Sequence, residues 1–218
     1  MELIFCVQRT ICPIFISAMQ SMPTLKRLAS TIFVSLVVQF HISAEVFPAQ
    51  EQEDISLVMA LDTVQTQTGK VDILLALADN NISKDLQQAI GYAEEALKIS
   101  ESIDYPDGIA AANKFLGMGL AETGAFVEAL DHLTLALDQY EKLGDSLEVA
   151  NVYNSLGNQY SYGDNVVEAR RYYDRSLEIY ENLKIPEKIS AINNNIGTIY
   201  LDNGMADSAL IYLEKAKS

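Results

Sequence analysis

A glycine returns at Gly117, Gly157 and Gly197, and the chain around it repeats every 40 residues. The blocks read FLGMGLAETGAFVEAL from Phe115, SLGNQYSYGDNVVEAR from Ser155 and NIGTIYLDNGMADSAL from Asn195. Twelve residues after each glycine stands an alanine (Ala129, Ala169, Ala209), and seven further on come Ala136, Ser176 and Ala216. No insertion or deletion disturbs the register. A unit of this length must stack on its neighbours to bury its apolar face, which predicts a solenoid of helix pairs. Such arrays are scaffolds and binding surfaces far more often than catalysts.

Two segments of helical period fill each block. In the block from Ala110 the first runs to Glu122 and the second from Phe126 to Leu143. Phe126, Ala129, Leu130, Leu133, Ala136, Leu137 and Tyr140 fall at three- and four-residue steps, along one helical face. Glycine turns at Thr123-Gly124, Tyr162-Gly163 and Asn203-Gly204 divide the pairs and predict a left-handed helix end. Pro106 and Pro186 stand at the start of the next first helix, where a missing N–H costs little. Asp145 and Glu148 have capping-box spacing at the equivalent place between them. Gly117, Gly157 and Gly197 lie mid-helix, where glycine costs about 1 kcal/mol relative to alanine. That cost predicts a close crossing, with Ala129, Ala169 or Ala209 of the second helix meeting the gap.

Leu116-Gly117 with Leu120, Leu156-Gly157 with Tyr160 and Ile196-Gly197 with Tyr200, together with the small residues that follow, resemble the tetratricopeptide repeat (TPR). The similarity is to the 40-residue form of kinesin light chains and bacterial sensor proteins, and it covers residues 70–218. The chain departs from that pattern at Asn113 and Asn193, where an aromatic is usual, and at Glu101, Glu141 and Glu181, where a proline is usual. The resemblance implies an all-α, right-handed superhelical solenoid of antiparallel helix pairs, with the first helices lining a concave groove. Residues 110–149 and 150–189 form complete repeats; 190–218 form a fourth that stops early. Residues 70–109 form a degenerate first repeat: Ala89 and Ala96 hold the small positions, Tyr92 aligns with His132, Tyr172 and Tyr212, but Leu77 replaces the glycine. Residues 45–69 read as a linker, polar from Gln50 to Asp54, and a helix near Ile55 to Thr66 that covers the array's first face. At the other end Leu210 and Leu213 are expected to lack a following repeat. A truncated chain is the favoured expectation there, with self-association through this end or a tolerated frayed terminus as the alternatives.

Thirty acidic residues against 15 basic ones give a formal charge of -15, which disfavours nucleic acid and anionic membranes as partners. The N-terminal region differs in kind. Lys26 and Arg27 precede an apolar run of 13 residues, Leu28 to Phe40, and Ile42-Ser43-Ala44 offers a small-residue exit. This is the pattern of a secretory signal peptide, taken as residues 22–44, with translation starting at Met22 or Met19 and residues 1–21 an untranslated upstream segment. The run is too short to span the roughly 30 Å hydrocarbon core as a helix. Export to the periplasm or the extracellular side is therefore expected. A membrane tether would require an uncleaved signal segment or a further C-terminal helix. Both cysteines, Cys6 and Cys12, fall in the removed part, so no disulfide framework is expected.

Beyond the signal segment His132 is the single histidine, which excludes a Cys/His zinc site and leaves no histidine-dependent triad without it. The glycine spacing lacks a phosphate-loop pattern. Glu94-Glu95, Glu141 and Glu181 read as solvated helix faces, and Asn81-Ile82-Ser83 is a weak glycosylation pattern. No catalytic, cofactor-binding or metal-ligating residue is identified, and the chain reads as a non-enzyme. In the groove, rows recur at 40-residue steps: Lys114, Asn154, Asn194; then Met118, Asn158, Thr198; then Asn151 beside Ala111 and Ala191; then Glu122, Tyr162, Asp202. An asparagine carries both donor and acceptor, so a ladder of them can pair with the backbone of an extended peptide. The resemblance implies the same use; the alternative is a set of ordinary solvated polar positions. The expected partner is a protein or extended peptide in the groove. The expected function is an exported interaction module. The alternative is the N-terminal sensor region of a histidine kinase, a nucleotide cyclase or a repeat-containing transcriptional regulator.

Overall fold

The computed structural model describes residues 49–217, with side chains from Asp54 onward; residues 1–48, which include the signal segment, and Ser218 lie outside the described residues. Residues 50–218 belong to one compact unit. The described residues form nine helices: α1 (Ala49–Leu61), α2 (Gln67–Asn81), α3 (Leu86–Ser102), α4 (Pro106–Glu122), α5 (Phe126–Leu143), α6 (Ser146–Tyr162), α7 (Val166–Leu183), α8 (Pro186–Asp202) and α9 (Ala206–Lys215). Helices α2 to α9 pair as α2/α3, α4/α5, α6/α7 and α8/α9, and each second helix also packs on the next first helix.

The chain turns at two places per repeat, and the 40-residue step is kept at both. After the second helices, Asp104, Gly144 and Lys184 take left-handed backbone angles, with φ of 52°, 74° and 57°. Between the helices of a pair, Gly124 and Gly204 are left-handed, with φ of 82° and 73°. In the third repeat the expected Gly163 has an ordinary φ of -83°, and Asp164 takes the left-handed place at 56°. The period itself puts Asp164 opposite Gly124 and Gly204, and aspartate tolerates this region better than most residues. Starts are equally local in origin. Pro106 and Pro186 open α4 and α8, whereas Asp145 caps α6 by accepting the Glu148 N–H at 3.0 Å.

The mid-helix glycines do admit a close crossing, and the group that fills each gap is larger than alanine. A Cβ on Gly117 would lie 2.6 Å from Leu133, one on Gly157 2.5 Å from the Tyr173 ring, and one on Gly197 2.7 Å from Leu213. Those three side chains stand at one repeat position. Ala129, Ala169 and Ala209 are buried one helical turn earlier on the same second helices, where they keep the backbones near. In the degenerate first repeat the sizes are exchanged: Leu77 replaces the glycine and Ala93 the leucine, and both are fully buried. The total volume across the crossing is kept, so the fold tolerates the swap.

Helix α1 begins earlier and ends earlier than the sequence suggests. Gln50 to Asp54 are helical, because Gln, Glu and Asp carry no helix-breaking geometry, and the chain leaves the helix at Leu61. Thr66 lies outside it and caps α2, its hydroxyl accepting the Gly69 N–H at 3.1 Å. Leu61 packs on the first-repeat core of Val71, Leu74 and Ala96. Asp54 accepts bonds from Asn80 Nδ2 (3.1 Å) and Lys84 Nζ (2.7 Å). Ile55, Val58 and Met59 stay exposed, so α1 covers only part of the first face.

At the other end of the array Arg170 ties the last pair down. Its guanidinium donates to the hydroxyls of Tyr200 (2.6 Å) and Tyr212 (2.8 Å), and Nε reaches Asp174 (2.7 Å). The same group lies 4.6 Å over the Tyr212 ring. Leu210 and Ile211 are exposed on α9, while Leu213 is half-buried in the Gly197 gap.

The Gly157 crossing is the tightest of the three against the most rigid side chain. Gly157→Leu should destabilise the protein by about 1–3 kcal/mol or more through overpacking, read as a lower urea midpoint with unchanged slope. A midpoint equal to the parent's would show that the helices do not cross closely there.

Candidate functional site

First helices touch one another across repeats, as α2 with α4, α4 with α6, and α6 with α8. Second helices make no comparable approach to each other among the described residues. The array therefore curves toward its first helices, and α4, α6 and α8 line the inner face. At the ends of α4 and α6 this face holds an open cleft of about 560 Å³. Met118, Ala121 and Glu122 of α4 line it together with Ser155, Asn158, Gln159 and Tyr162 of α6. Its third side is the turn between α2 and α3, Ile82 to Lys84, continued by Leu86.

The sequence-derived groove residues divide into three groups. Met118, Asn158 and Tyr162 come together in the cleft. Asn151 and Asn154 lie on the same side of α6, at spacings of seven and four residues from Asn158. Asn194 stands apart, exposed on α8 beside a second cleft of about 520 Å³ that Ser190, Ala191, Leu213 and Ala216 also line. Thr198 is exposed near it, its hydroxyl donating to the Asn194 carbonyl at 3.0 Å. Lys114 is engaged: its ammonium lies 2.6 Å from Glu148 and 4.9 Å over the Phe115 ring.

Each asparagine of α6 has its side-chain oxygen occupied from within the protein. Asn151 Oδ1 accepts the Tyr180 hydroxyl at 2.7 Å, Asn158 Oδ1 accepts the Tyr173 hydroxyl at 2.7 Å, and Asn154 Oδ1 accepts Asn195 Nδ2 at 3.0 Å. Burial raises the hydroxyl pKa of Tyr173 and Tyr180, so both keep their proton at any physiological pH. Tyr162 at the cleft mouth is raised as well, by partial burial first and then by the Glu122 carboxylate beside it. Lys84 on the rim is held by Asp54, and this pairing lowers the Asp54 pKa. Among the described residues no group of three or more His, Cys, Asp or Glu side chains is placed to hold a metal.

The turn residues of the cleft were missed by sequence reasoning although a signal was present. Ile82 stands 40 residues before Glu122 and 80 before Tyr162, in the same groove row. Ser155 and Gln159 carried no such signal, because they belong to the helix face toward the preceding repeat. Gln159 is buried there with no protein partner for its Oε1.

His132 has a packing role. Its Nδ1 lies 2.8 Å from the Oδ1 of buried Asn113, whose Nδ2 donates to the Ile109 carbonyl. In the fourth repeat Tyr212 replaces this histidine and reaches Arg170 instead, and the equivalent Asn193 Oδ1 is buried without a partner. His132 thus satisfies a buried acceptor that its replacement leaves orphaned.

A sequence model of the tetratricopeptide repeat matches residues 108–182, which run from the start of α4 to the end of α7. Over that span the chain is a TPR array. The solved structure of BtubC (BKLC) from P. vanneervenii is similar at 25% identity and a TM-score of 0.66, over 97% of this chain and 89% of that one. A Rap protein complexed with competence and sporulation factor matches at 19% identity and a TM-score of 0.68, over 76% of this chain. This chain spans half the length of that protein. Kinesin light chain TPR-like repeats from Podosopora anserina match at 18% identity and a TM-score of 0.55, over 90% of this chain and 96% of theirs. No curated protein matches the sequence. The TPR array is a protein-interaction type of scaffold, and these likenesses extend the fold to helices on both sides of the matched repeats.

His132→Leu should orphan Asn113 Oδ1 in the second repeat and cost about 1–3 kcal/mol in chemical denaturation. The double variant with Asn113→Leu should recover part of that loss. A neutral single variant would show that the histidine contact carries no stability.

Proposed function

We propose that this protein is an exported TPR module that takes a protein or an extended peptide on its concave face and performs no chemistry of its own. The observation that carries this reading is the concave cleft, open to solvent, with Asn158 in its wall and Asn151 and Asn154 on the same side of α6. A row of amides beside apolar Met118 and Leu86 suits a polypeptide: main chain on the amides, side chains on the apolar walls. The groove side chains assigned to this role are Lys114, Met118, Asn151, Asn154, Asn158, Tyr162, Asn194 and Thr198. Asn194 and Thr198 extend the surface toward the second cleft. Export rests on Lys26, Arg27 and the apolar run that follows them.

Full-length protein carrying Asn154→Ala and Asn158→Ala should lose the partners that the parent captures while remaining folded, with a melting temperature lowered by the Tyr173 hydroxyl left without its acceptor. Retention of every partner would remove the concave face from the function. Lys114, Glu122 and Asp202 leave the groove rows nearly neutral, so capture should weaken only modestly, within about threefold, between low and physiological salt. A steep salt dependence would point to the acidic outer surface instead.

Export has its own check. N-terminal sequencing of protein from the culture's extracytoplasmic fraction should find a chain that begins close after Ala44. Recovery of intact precursor in the cytoplasm alone would contradict export.

A further inference from the structure

The three asparagines of α6 have no counterpart set in the neighbouring repeats. The equivalents of Asn151, Asn154 and Asn158 are Ala111, Lys114 and Met118 on α4, and Ala191, Asn194 and Thr198 on α8. The second helix of the same repeat differs in step. Where Leu133 and Leu213 fill the glycine gaps, the third repeat has Tyr173, and that is the residue bonded to Asn158. Tyr180 likewise reaches Asn151, whereas Tyr140, one repeat earlier, faces a repeat with alanine at that place and lies 6.0 Å from the Lys114 ammonium. Gly157 makes this possible: with no Cβ there, the Tyr173 ring passes over α6 and carries its hydroxyl to the next residue, Asn158.

We propose that Tyr173 and Tyr180 are positioning residues that hold Asn158 and Asn151 with their oxygens inward, so that this face of α6 presents amide N–H donors and selects a ligand segment offering a column of acceptors. Asn154 joins them through Asn195. No protein group takes the Nδ2 atoms of Asn151, Asn154 and Asn158 among the described residues. Asn154 and Asn158 are one helical turn apart, about 6 Å along the axis. The carbonyls on one side of an extended chain recur at about 6.6–6.8 Å. Two successive same-side carbonyls of an extended peptide therefore match two successive donors. With its oxygen held inward by these bonds, each amide turns its N–H groups toward the groove, whereas a free asparagine can rotate to suit either. The inference rests on the concave-face reading above and adds the polarity of its ligand and the residues that set it.

The probe is the tightest peptide selected from phage-displayed random linear peptides against the full-length protein, synthesised and titrated by calorimetry. Tyr173→Phe and Tyr180→Phe should each weaken binding about fivefold, since one orienting bond is lost and no contact with the ligand. The double variant Asn158→Ala with Tyr173→Phe should bind like Asn158→Ala alone, because the tyrosine acts only through the asparagine. Asn158→Asp, nearly isosteric, puts an acceptor in place of the donor and should weaken binding about tenfold or more. Tighter binding by Asn158→Asp would overturn the proposed polarity, and that arm holds even if Tyr173→Phe proves unstable. Full affinity in both tyrosine variants, with affinity lost in Asn154→Ala plus Asn158→Ala, would overturn the positioning role and leave the concave face standing. Failure of every groove variant to change affinity, or of the selection to yield a peptide, would overturn the concave-face reading and this inference with it.

Discussion

The close crossing inside each helix pair is the contact on which the rest depends. Gly117, Gly157 and Gly197 leave a gap that Leu133, Tyr173 and Leu213 enter from the partner helix. With the pair locked, its second helix packs on the first helix of the next repeat, and the buried alanines of that second helix allow the following pair to dock. The first repeat shows that the constraint is on volume across the crossing, since Leu77 and Ala93 hold the same place with sizes exchanged. A glycine is one solution to that constraint. Its absence from the first repeat therefore says little about whether the pair forms.

Equal backbones carry unequal chemistry. Helix α7 of the third repeat buries three hydroxyls, in Tyr173, Ser176 and Tyr180, and each is satisfied by a group on α6: Asn158, the Ala150 carbonyl and Asn151. An unpaired hydroxyl there would forfeit a hydrogen bond at low dielectric, so a tyrosine in this core needs an acceptor in reach. Asparagines on the inner face supply it. The same contacts that stabilise the pair thus fix the orientation of groove side chains, and stability and recognition share atoms. Arg170 plays a purely structural version of this part at the fourth repeat, where two tyrosine hydroxyls accept from one guanidinium.

Most of the architecture was legible because it is written in local, repeated signals. The 3.6-residue apolar rhythm, Pro106 and Pro186 at helix starts and the Asp145 cap all act within a few residues of themselves. Structure departs from these local signals where a turn position shifts by one residue or depends on a distant partner. Gly163 drew attention as a glycine, yet the period assigns the left-handed place to Asp164. The polar stretch from Gln50 to Asp54 looked like a linker, and it is helical, with Asp54 anchored to Asn80 and Lys84 about thirty residues away. Within the groove, the 40-residue rows align Met118, Asn158 and Tyr162, and the resemblance to tetratricopeptide repeats is what assigns their helices to the inner face. Lys84, Ser155 and Gln159 were not, since a turn from another repeat and a second helix face bring them in.

The sequence by itself determined the repeat length, the helix pairs and the face on which α6 carries its asparagines, because these follow from periodicities along one chain. Only the tertiary structure decided which atoms of those asparagines remain available. A side-chain amide has two chemically opposite ends at one position, and the sequence names the residue without choosing between them. That choice was made by hydroxyls 15 and 29 residues away, brought within 2.7 Å by a crossing that a missing Cβ permits.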